Sequence, residues 1–372
     1  MRRIALLVFV ASTGLLAQSG SFDWRIPRPF PRPAVPADNP MSASKVALGR
    51  YLFYDKRMSS NGKESCASCH RQELAFTDGR ARAEGTMGEL HPRSSMSLAN
   101  IAYSPLLTWA NPSLSSLEEQ AMIPISGTEP IELGLKGHED RFLADIGRDA
   151  VYRRLFPEAF PRETPPYTMG NVTKALAAFE RTIISLNSPY DRYRYGNDPD
   201  AISDAAKRGE LLFFSGERTA CFQCHGNWNF NGSLRYEGGD STKAPFLNTG
   251  LYNLRGEFSY PAPNTGLYQY THRREDIGKF RAPTLRNIAV TAPYMHDGSI
   301  SSLAEVIDHY AAGGRTITSG PSAGIGHDNP NKESNVQGFK LTDAERKDLI
   351  AFLESLTDSE FLHNPMLSDP RK

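Results

Sequence analysis

The chain has 372 residues, and its 42 Lys and Arg side chains are balanced by 42 Asp and Glu, so the formal net charge is zero. This balance gives no support to a nucleic-acid or membrane-surface partner. The length predicts two domains, and the 26 prolines and 30 glycines predict long ordered loops rather than an idealised helix bundle.

The first twenty residues have the pattern of an export signal. Arg2 and Arg3 precede an apolar run over 4–16, and small or polar residues follow at 17–20. A charged start, an apolar stretch of this length and a small-residue zone are typical of a secretory signal peptide. The run is too short to span a bilayer, although an uncleaved anchor is the alternative. We therefore predict a signal peptide over 1–20, an exported protein and no membrane anchor.

The elements that follow predict a mainly α fold. Residues 24–40 are proline-rich and are expected to be extended on the surface. Two short amphipathic helices ending in aromatic residues, at 48–54 and 208–214, read as one supersecondary unit used twice. A helix over 172–186 would close the first unit, and a capping-box pattern at 342–345 would open the last helix of the second.

The two units define the predicted domains. Turn-forming residues over 187–199 are interpreted as a linker. The division is an N-terminal domain over 21–188 and a C-terminal domain over 189–372. Strands are expected to be few and short, in hairpins between 234 and 270.

Every cysteine lies in one of two Cys-x-x-Cys-His segments, at 66–70 and 221–225. This spacing lets two thiols form thioether bonds to the vinyl groups of one porphyrin, and the histidine then ligates the iron. The alternatives are a disulfide, a zinc site or a redox dithiol, but zinc needs four ligands and a redox dithiol does not need the histidine. The segments predict two covalently bound haem c groups in two cytochrome c-like domains, which agrees with export to the bacterial periplasm. The predicted residues are Cys66, Cys69 and His70 for the first haem, and Cys221, Cys224 and His225 for the second.

Further motifs lie between and after these segments. They are Phe-Thr-Asp-Gly at 76–79, Ser-Leu-Ala-Asn at 97–100, Leu-Glu-Glu-Gln-Ala at 117–121, Ala-Pro-Thr-Leu-Arg-Asn at 282–287 and Ala-Pro-Tyr-Met-His-Asp-Gly at 292–298. With these motifs the chain resembles the bacterial di-haem cytochrome c peroxidase and MauG superfamily over essentially its whole mature length. Within it, the segments 36–42, 52–55, 103–105, 108–112 and 130–134 are most similar to the MbnH-like di-haem enzymes.

The resemblance implies that the first haem reacts with peroxide, with a glutamate beside it as acid and base. Gln120 and Pro124 match the family's Gln-Ala-x-x-Pro stretch, and Glu132 is the carboxylate that we select. Glu132 lies eight residues past Pro124, where the family has six, so Glu129 stays an alternative. A desolvated carboxyl with a raised pKa can move a proton from one peroxide oxygen to the other. Gln120 would steer peroxide and water.

Two further assignments come from the resemblance. Trp109 matches an indole that the family places between the haems, where it would be a stepping-stone for electron holes; an ordinary core tryptophan is the alternative. Asn100, Thr291 and Pro293 match positions that hold a calcium ion between the domains, mostly through oxygen ligands.

The sixth ligand of the second haem separates the functional alternatives. Counting 17 residues past Pro293 gives Tyr310, where peroxidases fed by small electron carriers have methionine and MauG-like members have tyrosine. An anionic phenolate favours high iron oxidation states, whereas a thioether raises the potential. Tyr310 also shares an apolar helical face over 303–310, so a core role is the alternative. His309 and Met295 are weaker candidates.

The resulting prediction is a periplasmic di-haem oxidoreductase that uses hydrogen peroxide, through a high-valent di-haem intermediate, to oxidise a residue on a partner protein. In MbnH-like enzymes this residue is a tryptophan of a copper-associated protein, which becomes kynurenine, so the resemblance implies such a partner. The alternatives are a peroxide-scavenging cytochrome c peroxidase fed by a small electron carrier and a non-enzymatic di-haem electron-transfer cytochrome. The absence of methionine at 310 argues against the first alternative.

Overall fold

The computed structural model describes residues 22–240, 245–255 and 259–372. The predicted signal peptide lies outside these residues. No helix in the described ranges is long and apolar enough to cross a membrane. The described chain is mainly helical, as predicted.

The helices account for most of the regular structure. They are α1 Ala43–Phe53, α2 Cys66–Cys69, α3 Leu117–Ser126, α4 Glu139–Gly147, α5 Ala150–Ala159, α6 Met169–Glu180, α7 Pro189–Tyr195, α8 Asp204–Phe213, α9 Phe222–His225, α10 Tyr268–Thr271, α11 Leu303–Ala311, α12 Asp343–Glu354 and α13 Ser359–His363. Seven of them begin at a Ser or Thr whose side chain accepts a hydrogen bond from a backbone N–H of the first turn. These N-cap residues are Ser42, Ser116, Thr168, Ser188, Ser203, Ser302 and Thr342.

Strands are short and pair in three antiparallel ladders. The pairs are β1 Arg235–Tyr236 with β2 Gly239–Asp240, β3 Phe246–Leu247 with β4 Phe280–Arg281, and β5 Thr316–Ile317 with β6 Gly324–Ile325. The prediction of few strands is confirmed, but the range 234–270 was too narrow, because β4, β5 and β6 lie beyond it. These strands are two residues long and pair across loops, so they leave no alternating pattern to read.

Two helix crossings organise the structure, and each depends on a glycine. α1 crosses α6 at Gly49, where a Cβ atom would lie 1.9 Å from the carbonyl oxygen of Ala175. α8 crosses α12 at Gly209, where a Cβ atom would lie 2.0 Å from the carbonyl oxygen of Asp348. Only glycine permits backbones to approach so closely. The repeat seen in the sequence at 48–54 and 208–214 therefore corresponds to the same crossing made twice.

Each crossing has its own apolar core. The first core contains Leu52, Phe53, Phe76, Leu176 and Phe179. The second core contains Phe213, Phe230, Ile307, Leu349 and Phe352. The capping box at Thr342 and Glu345, predicted from sequence, opens α12.

The end of the chain returns to the first core. Phe361 on α13 and Leu367 after it pack among the residues of that core. Gln72 Nε2 donates to the carbonyl of Phe361 at 3.1 Å, and Arg50 Nε donates to the carbonyl of Ser368 at 2.6 Å. α12 is therefore not the last helix, contrary to the sequence interpretation. The division at 188/189 stays a prediction, and residues after 358 contact the first unit.

Two predicted boundaries are wrong for local reasons. The helix expected over 172–186 ends at Glu180. The β-branched residues that follow disfavour helix, and the side chain of Asn100 forms a hydrogen bond with the next segment. Asn100 Oδ1 accepts the N–H of Ser185 at 2.8 Å. The linker expected over 187–199 contains α7, since Ser188 and Asp191 form a capping box with proline at the first helical position.

Candidate active site

The four cysteines, all in the described ranges, lie on or beside two short helices and form no disulfide. Cys66 and Cys69 open and close α2, and Cys221 directly precedes α9, which contains Cys224. Burial raises the pKa of Cys69 to about 12 and that of Cys221 to about 11. These thiols are therefore neutral at physiological pH. Redox-active dithiols have the opposite property, a lowered pKa that yields a thiolate.

The histidine after each cysteine pair is held in the same way. His70 Nδ1 lies 2.8 Å from the carbonyl oxygen of Phe76, and His225 Nδ1 lies 3.0 Å from that of Phe230. Both phenylalanines have a positive φ, 61° and 53°, which turns their carbonyls toward the rings. Burial lowers the pKa of both imidazoles, so each is neutral. An Nδ1–H that donates to a carbonyl leaves Nε2 as the ligating nitrogen.

The second Cys-x-x-Cys-His segment borders a large cavity. Its volume is about 470 Å³, which is within the range of roughly 300–1,000 Å³ that is usual for ligand and cofactor pockets. Cys221, Cys224 and His225 line it, together with Trp109 and Tyr310. The residues predicted for the second haem are thus brought together in one cavity of suitable size.

Tyr310 enters this cavity from α11. In the described residues its hydroxyl makes no hydrogen bond, and burial raises the pKa of the phenol. Met295 also lines the cavity, whereas His309 on the same helix does not. The phenol is therefore an oxygen donor without a protein partner in a pocket that also contains an imidazole.

Arg281 lines the second cavity and was missed by the sequence analysis. Its Nε donates to the carbonyl of Thr108 at 3.1 Å, and no carboxylate of the described chain forms an ion pair with it. Burial lowers its pKa to about 10, so the guanidinium remains charged at neutral pH. A buried cation requires an anionic partner, and the carboxylates of a haem have the required charge.

The first Cys-x-x-Cys-His segment borders a smaller cavity of about 80 Å³. The cavity is lined by Cys66, Cys69, His70, Gln120, Pro124, Glu132 and Glu180, among others. The donor set predicted for a haem is complete here. The volume is smaller than that of the second cavity.

Glu132 and Glu129 occupy different environments. Glu132 lines the first cavity, and burial raises its pKa to about 7. Its side chain keeps 32% of its surface exposed, so solvent still reaches the carboxyl. Glu129 is exposed and is not among the residues lining the cavity.

The loop carrying Glu132 is hydrogen-bonded to the hairpin over 84–91 and packs closely against it. Thr86 N–H donates to the carbonyl of Glu132 at 2.8 Å. A Cβ atom at Gly85 would lie 1.9 Å from the carbonyl oxygen of Ile131, so glycine is required for this approach. The same hairpin brings His91 to the cavity, a residue that the sequence analysis missed because a single histidine in a loop has no spacing pattern.

Glu180 is a second carboxyl at the first cavity that was missed. It lies on α6 one turn after Leu176, and both side chains line the cavity. It is 6% exposed, and its Oε2 has no hydrogen-bond partner. Burial raises its pKa to about 8, so the carboxyl is protonated at neutral pH. Its position in an apolar helix, before a basic residue, gave no sequence signal.

Trp109 lines the second cavity but not the first. Its Nε1 donates to the carbonyl of Ser94 at 2.9 Å. The segment containing Ser94 continues to His91 on one side and Leu98 on the other, and both of these line the first cavity. The indole is therefore fixed to a stretch of chain that connects the two cavities.

The three residues assigned to calcium differ in their availability. Asn100 is fully buried, and its Oδ1 accepts the Ser185 N–H, which leaves one lone pair. Thr291 Oγ1 donates to the carbonyl of Ile288 at 3.1 Å. The carbonyl oxygens of Thr291 and Pro293 accept no hydrogen bond from the described chain. Free carbonyls and an amide oxygen are the donors that calcium prefers.

Comparisons with known proteins agree with this arrangement. Residues 43–199 match the family model described as di-haem cytochrome c peroxidase. The cytochrome-c peroxidase IdrP1 of Denitromonas iodatirespirans is 35% identical over 390 residues, covering 100% of this chain and 95% of the relative. The methylamine utilization protein MauG of Methylorubrum extorquens is 34% identical over 333 residues, covering 90% of this chain and 83% of the relative.

A solved structure is also similar. It is a MauG-like protein associated with microbial copper homeostasis, with a TM-score of 0.91 and 45% identity, covering 94% of this chain and 100% of that chain. The family is one of oxidoreductases with two haem c groups. This chain belongs to the di-haem cytochrome c peroxidase and MauG family.

Proposed function

We propose that this protein is a periplasmic enzyme that uses hydrogen peroxide to oxidise a tryptophan, to kynurenine, on a partner protein associated with copper. The observation that carries the proposal is Tyr310, whose unpartnered phenol shares the second cavity with His225. The similarity to a MauG-like protein associated with copper homeostasis supports the class of partner.

Two sets of residues would hold the haems. Cys66 and Cys69 would carry the first by thioether bonds, with His70 as the iron ligand. The second would be held by Cys221, Cys224, His225 and Tyr310. The bound haems supply the redox chemistry by which peroxide is reduced. Each cysteine pair and its histidine would define one domain.

Glu132 would move the proton that peroxide cleavage requires. With a pKa of about 7, the carboxyl is divided between its two protonation states at neutral pH. It accepts a proton from one oxygen of hydrogen peroxide and donates it to the other, which leaves as water. Gln120, on α3 and lining the same cavity, would orient peroxide through its amide.

Trp109 would connect the two sites electronically. Its hydrogen bond to Ser94 fixes the indole against the segment that joins the cavities. A partly buried indole with a satisfied N–H is a stable position for a transient electron hole. The partner protein would then be oxidised at the surface, without entering either cavity.

A calcium ion held by Asn100, Thr291 and Pro293 would set the relative position of the two sites. The free carbonyl oxygens of Thr291 and Pro293 support this assignment. Removal of the ion with a chelator would then change the coupling between the haems without removing either of them.

The experiment that tests the function uses the mature holoprotein, one equivalent of peroxide and a candidate copper-associated partner. Mass mapping of the partner should find kynurenine in place of one tryptophan. Omission of peroxide and substitution of that tryptophan by phenylalanine are the controls. Fast turnover with a small reduced cytochrome, without modification of the partner, would instead support a peroxide-scavenging peroxidase.

A further inference from the structure

An aromatic row leads from the second cavity toward the surface. Phe280 and Tyr260 both line the cavity, and their ring centroids are 6.2 Å apart. The next ring is that of Tyr252, at 5.5 Å from Tyr260 in a T-shaped arrangement. Tyr252 is 8% exposed. The row therefore spans the distance between the cavity wall and a position just below the surface.

Tyr252 has a proton acceptor at its hydroxyl. The phenol donates to Asp297 Oδ2 at 2.6 Å, a short hydrogen bond of the charge-assisted kind. Asp297 Oδ1 accepts the N–H of Ser299 at 3.1 Å, and no cation of the described chain is within ion-pair distance of this carboxylate. The phenol therefore does not compete with an ion pair for this carboxyl group.

Tyr260 lacks such an acceptor. Its hydroxyl donates to the amide oxygen of Asn248 at 3.1 Å and accepts the N–H of Leu251 at 3.2 Å. Neither group is basic enough to take a proton from a phenol. Tyr260 can pass an electron between its neighbours. A radical would not be stabilised on its ring, because the phenolic proton has no acceptor.

We propose that Tyr252 is a redox-active tyrosine that discharges the oxidised second site when no partner is bound. The inference rests on the proposed function, because the oxidant is the second haem after oxidation by peroxide. One electron leaves Tyr252 and reaches that site through Tyr260, and the phenolic O–H bond breaks with its proton passing to Asp297 Oδ2. The oxidised site is reduced by one equivalent, and Tyr252 becomes a neutral phenoxyl radical.

The molecule contains a second tyrosine–carboxylate pair as a control, in which the carboxylate is also ion-paired with Arg57. Tyr152 also donates to a carboxylate, Asp55 Oδ2 at 2.7 Å, and is fully buried. Its ring contacts Tyr51 and Phe156, and neither of these lines the first or the second cavity. A tyrosine–carboxylate pair without an aromatic row to the cavity is therefore available for comparison.

The test uses the holoprotein without a partner, treated with one equivalent of peroxide in the presence of the spin trap 2-methyl-2-nitrosopropane. Peptide mapping should place the adduct on Tyr252, and Tyr252→Phe should remove at least about nine-tenths of it. The same substitution should prolong the oxidised haem spectrum several-fold. Tyr152→Phe should change neither the adduct nor the lifetime. An unchanged lifetime in Tyr252→Phe, or an adduct found elsewhere, would overturn the proposal.

A second arm separates this proposal from the proposed function. A photogenerated ruthenium(III) polypyridyl oxidant, with persulfate as the electron acceptor, oxidises the haem protein without peroxide. Tyr252 should again be the labelled tyrosine, and Asp297→Asn should reduce its labelling about tenfold. If peroxide produces no oxidised spectrum but this arm labels Tyr252, the proposed function fails and the redox role of Tyr252 stands. Absence of labelling at Tyr252 in both arms would refute that role.

Discussion

His91 Nε2 lies 3.9 Å from Glu132 Oε1 at the edge of the first cavity. The two groups do not form a charged pair at neutral pH, because burial, with a smaller contribution from Arg93, lowers the pKa of His91. The neighbour that would hold Glu132 ionised is therefore neutral. Desolvation is then free to raise the pKa of Glu132 to about 7, which suits a group that both accepts and donates a proton.

Glu132→Gln should keep both haems and their resting spectra while it slows the reaction with peroxide by at least ~100-fold, the usual effect of losing a general acid–base group. Stopped-flow absorbance after mixing with peroxide measures this rate. Glu129→Gln is the control and should react at the normal rate. The opposite pattern would identify Glu129 as the acid–base residue.

The rate of the peroxide reaction should depend on pH through Glu132. The carboxylate form accepts the first proton, so the rate should rise as the pH approaches about 7 from below and level off above it. Each pH unit below that value should reduce the rate about tenfold, because the carboxylate fraction falls by that factor. The remaining activity of Glu132→Gln should lack this inflection. A wild-type profile that is flat between pH 5 and 9 would contradict the assignment.

Trp109→Phe should leave peroxide binding at the first haem intact and weaken the sharing of oxidising equivalents with the second. Phenylalanine is harder to oxidise and cannot donate to the carbonyl of Ser94. Near-infrared and visible spectra after peroxide addition would detect the loss. Trp228→Phe is a suitable control, because Trp228 lines neither cavity. An unchanged two-haem spectrum in Trp109→Phe would mean that the equivalents follow another route.

Tyr310→Met should raise the reduction potential of the second haem, because a neutral thioether replaces an anionic phenolate. Redox titration followed by absorbance gives the potential directly. The doubly oxidised state should then be short-lived and modification of the partner should fail, while turnover with a small reductant should survive. Met295→Leu tests the competing ligand and should leave the potential in place. If Tyr310→Met also leaves the reduction potential of the second haem unchanged, Tyr310 is a packing residue of α11.

Glu180 should make the stability of the protein pH-dependent. Its pKa is about 8 in the folded state, above the ordinary value of 4.5 for a glutamate, so its contribution to stability is fully present below about pH 4.5 and is lost as the pH rises through 8. The loss is at most roughly 1.4 kcal/mol per pH unit in that window. Glu180→Gln, which cannot ionise, should raise the Tm of the holoprotein more at pH 9 than at pH 5. Equal shifts at both pH values would indicate that a cationic partner keeps the pKa of Glu180 near its ordinary value.

Features that depend on neighbouring residues could be determined from the sequence alone. The two Cys-x-x-Cys-His segments, the capping box at 342–345 and the repeated glycine helices at 48–54 and 208–214 are local patterns. Each of these patterns is formed by residues within one turn or loop, so the order of residues along the chain is sufficient to identify it. The family resemblance added the candidates that local patterns could not supply, such as Trp109 and Tyr310.

The tertiary structure decided which of these side chains are buried together. It placed Glu132 in the first cavity and left Glu129 exposed, brought His91 and Glu180 to the same cavity, and paired Tyr252 with Asp297, 45 positions away. Desolvation and proximity set the pKa of a carboxyl and the acceptor of a phenol, and both are properties of the surroundings in space. Contacts between distant segments of the chain produce those surroundings, so only the folded arrangement determines them.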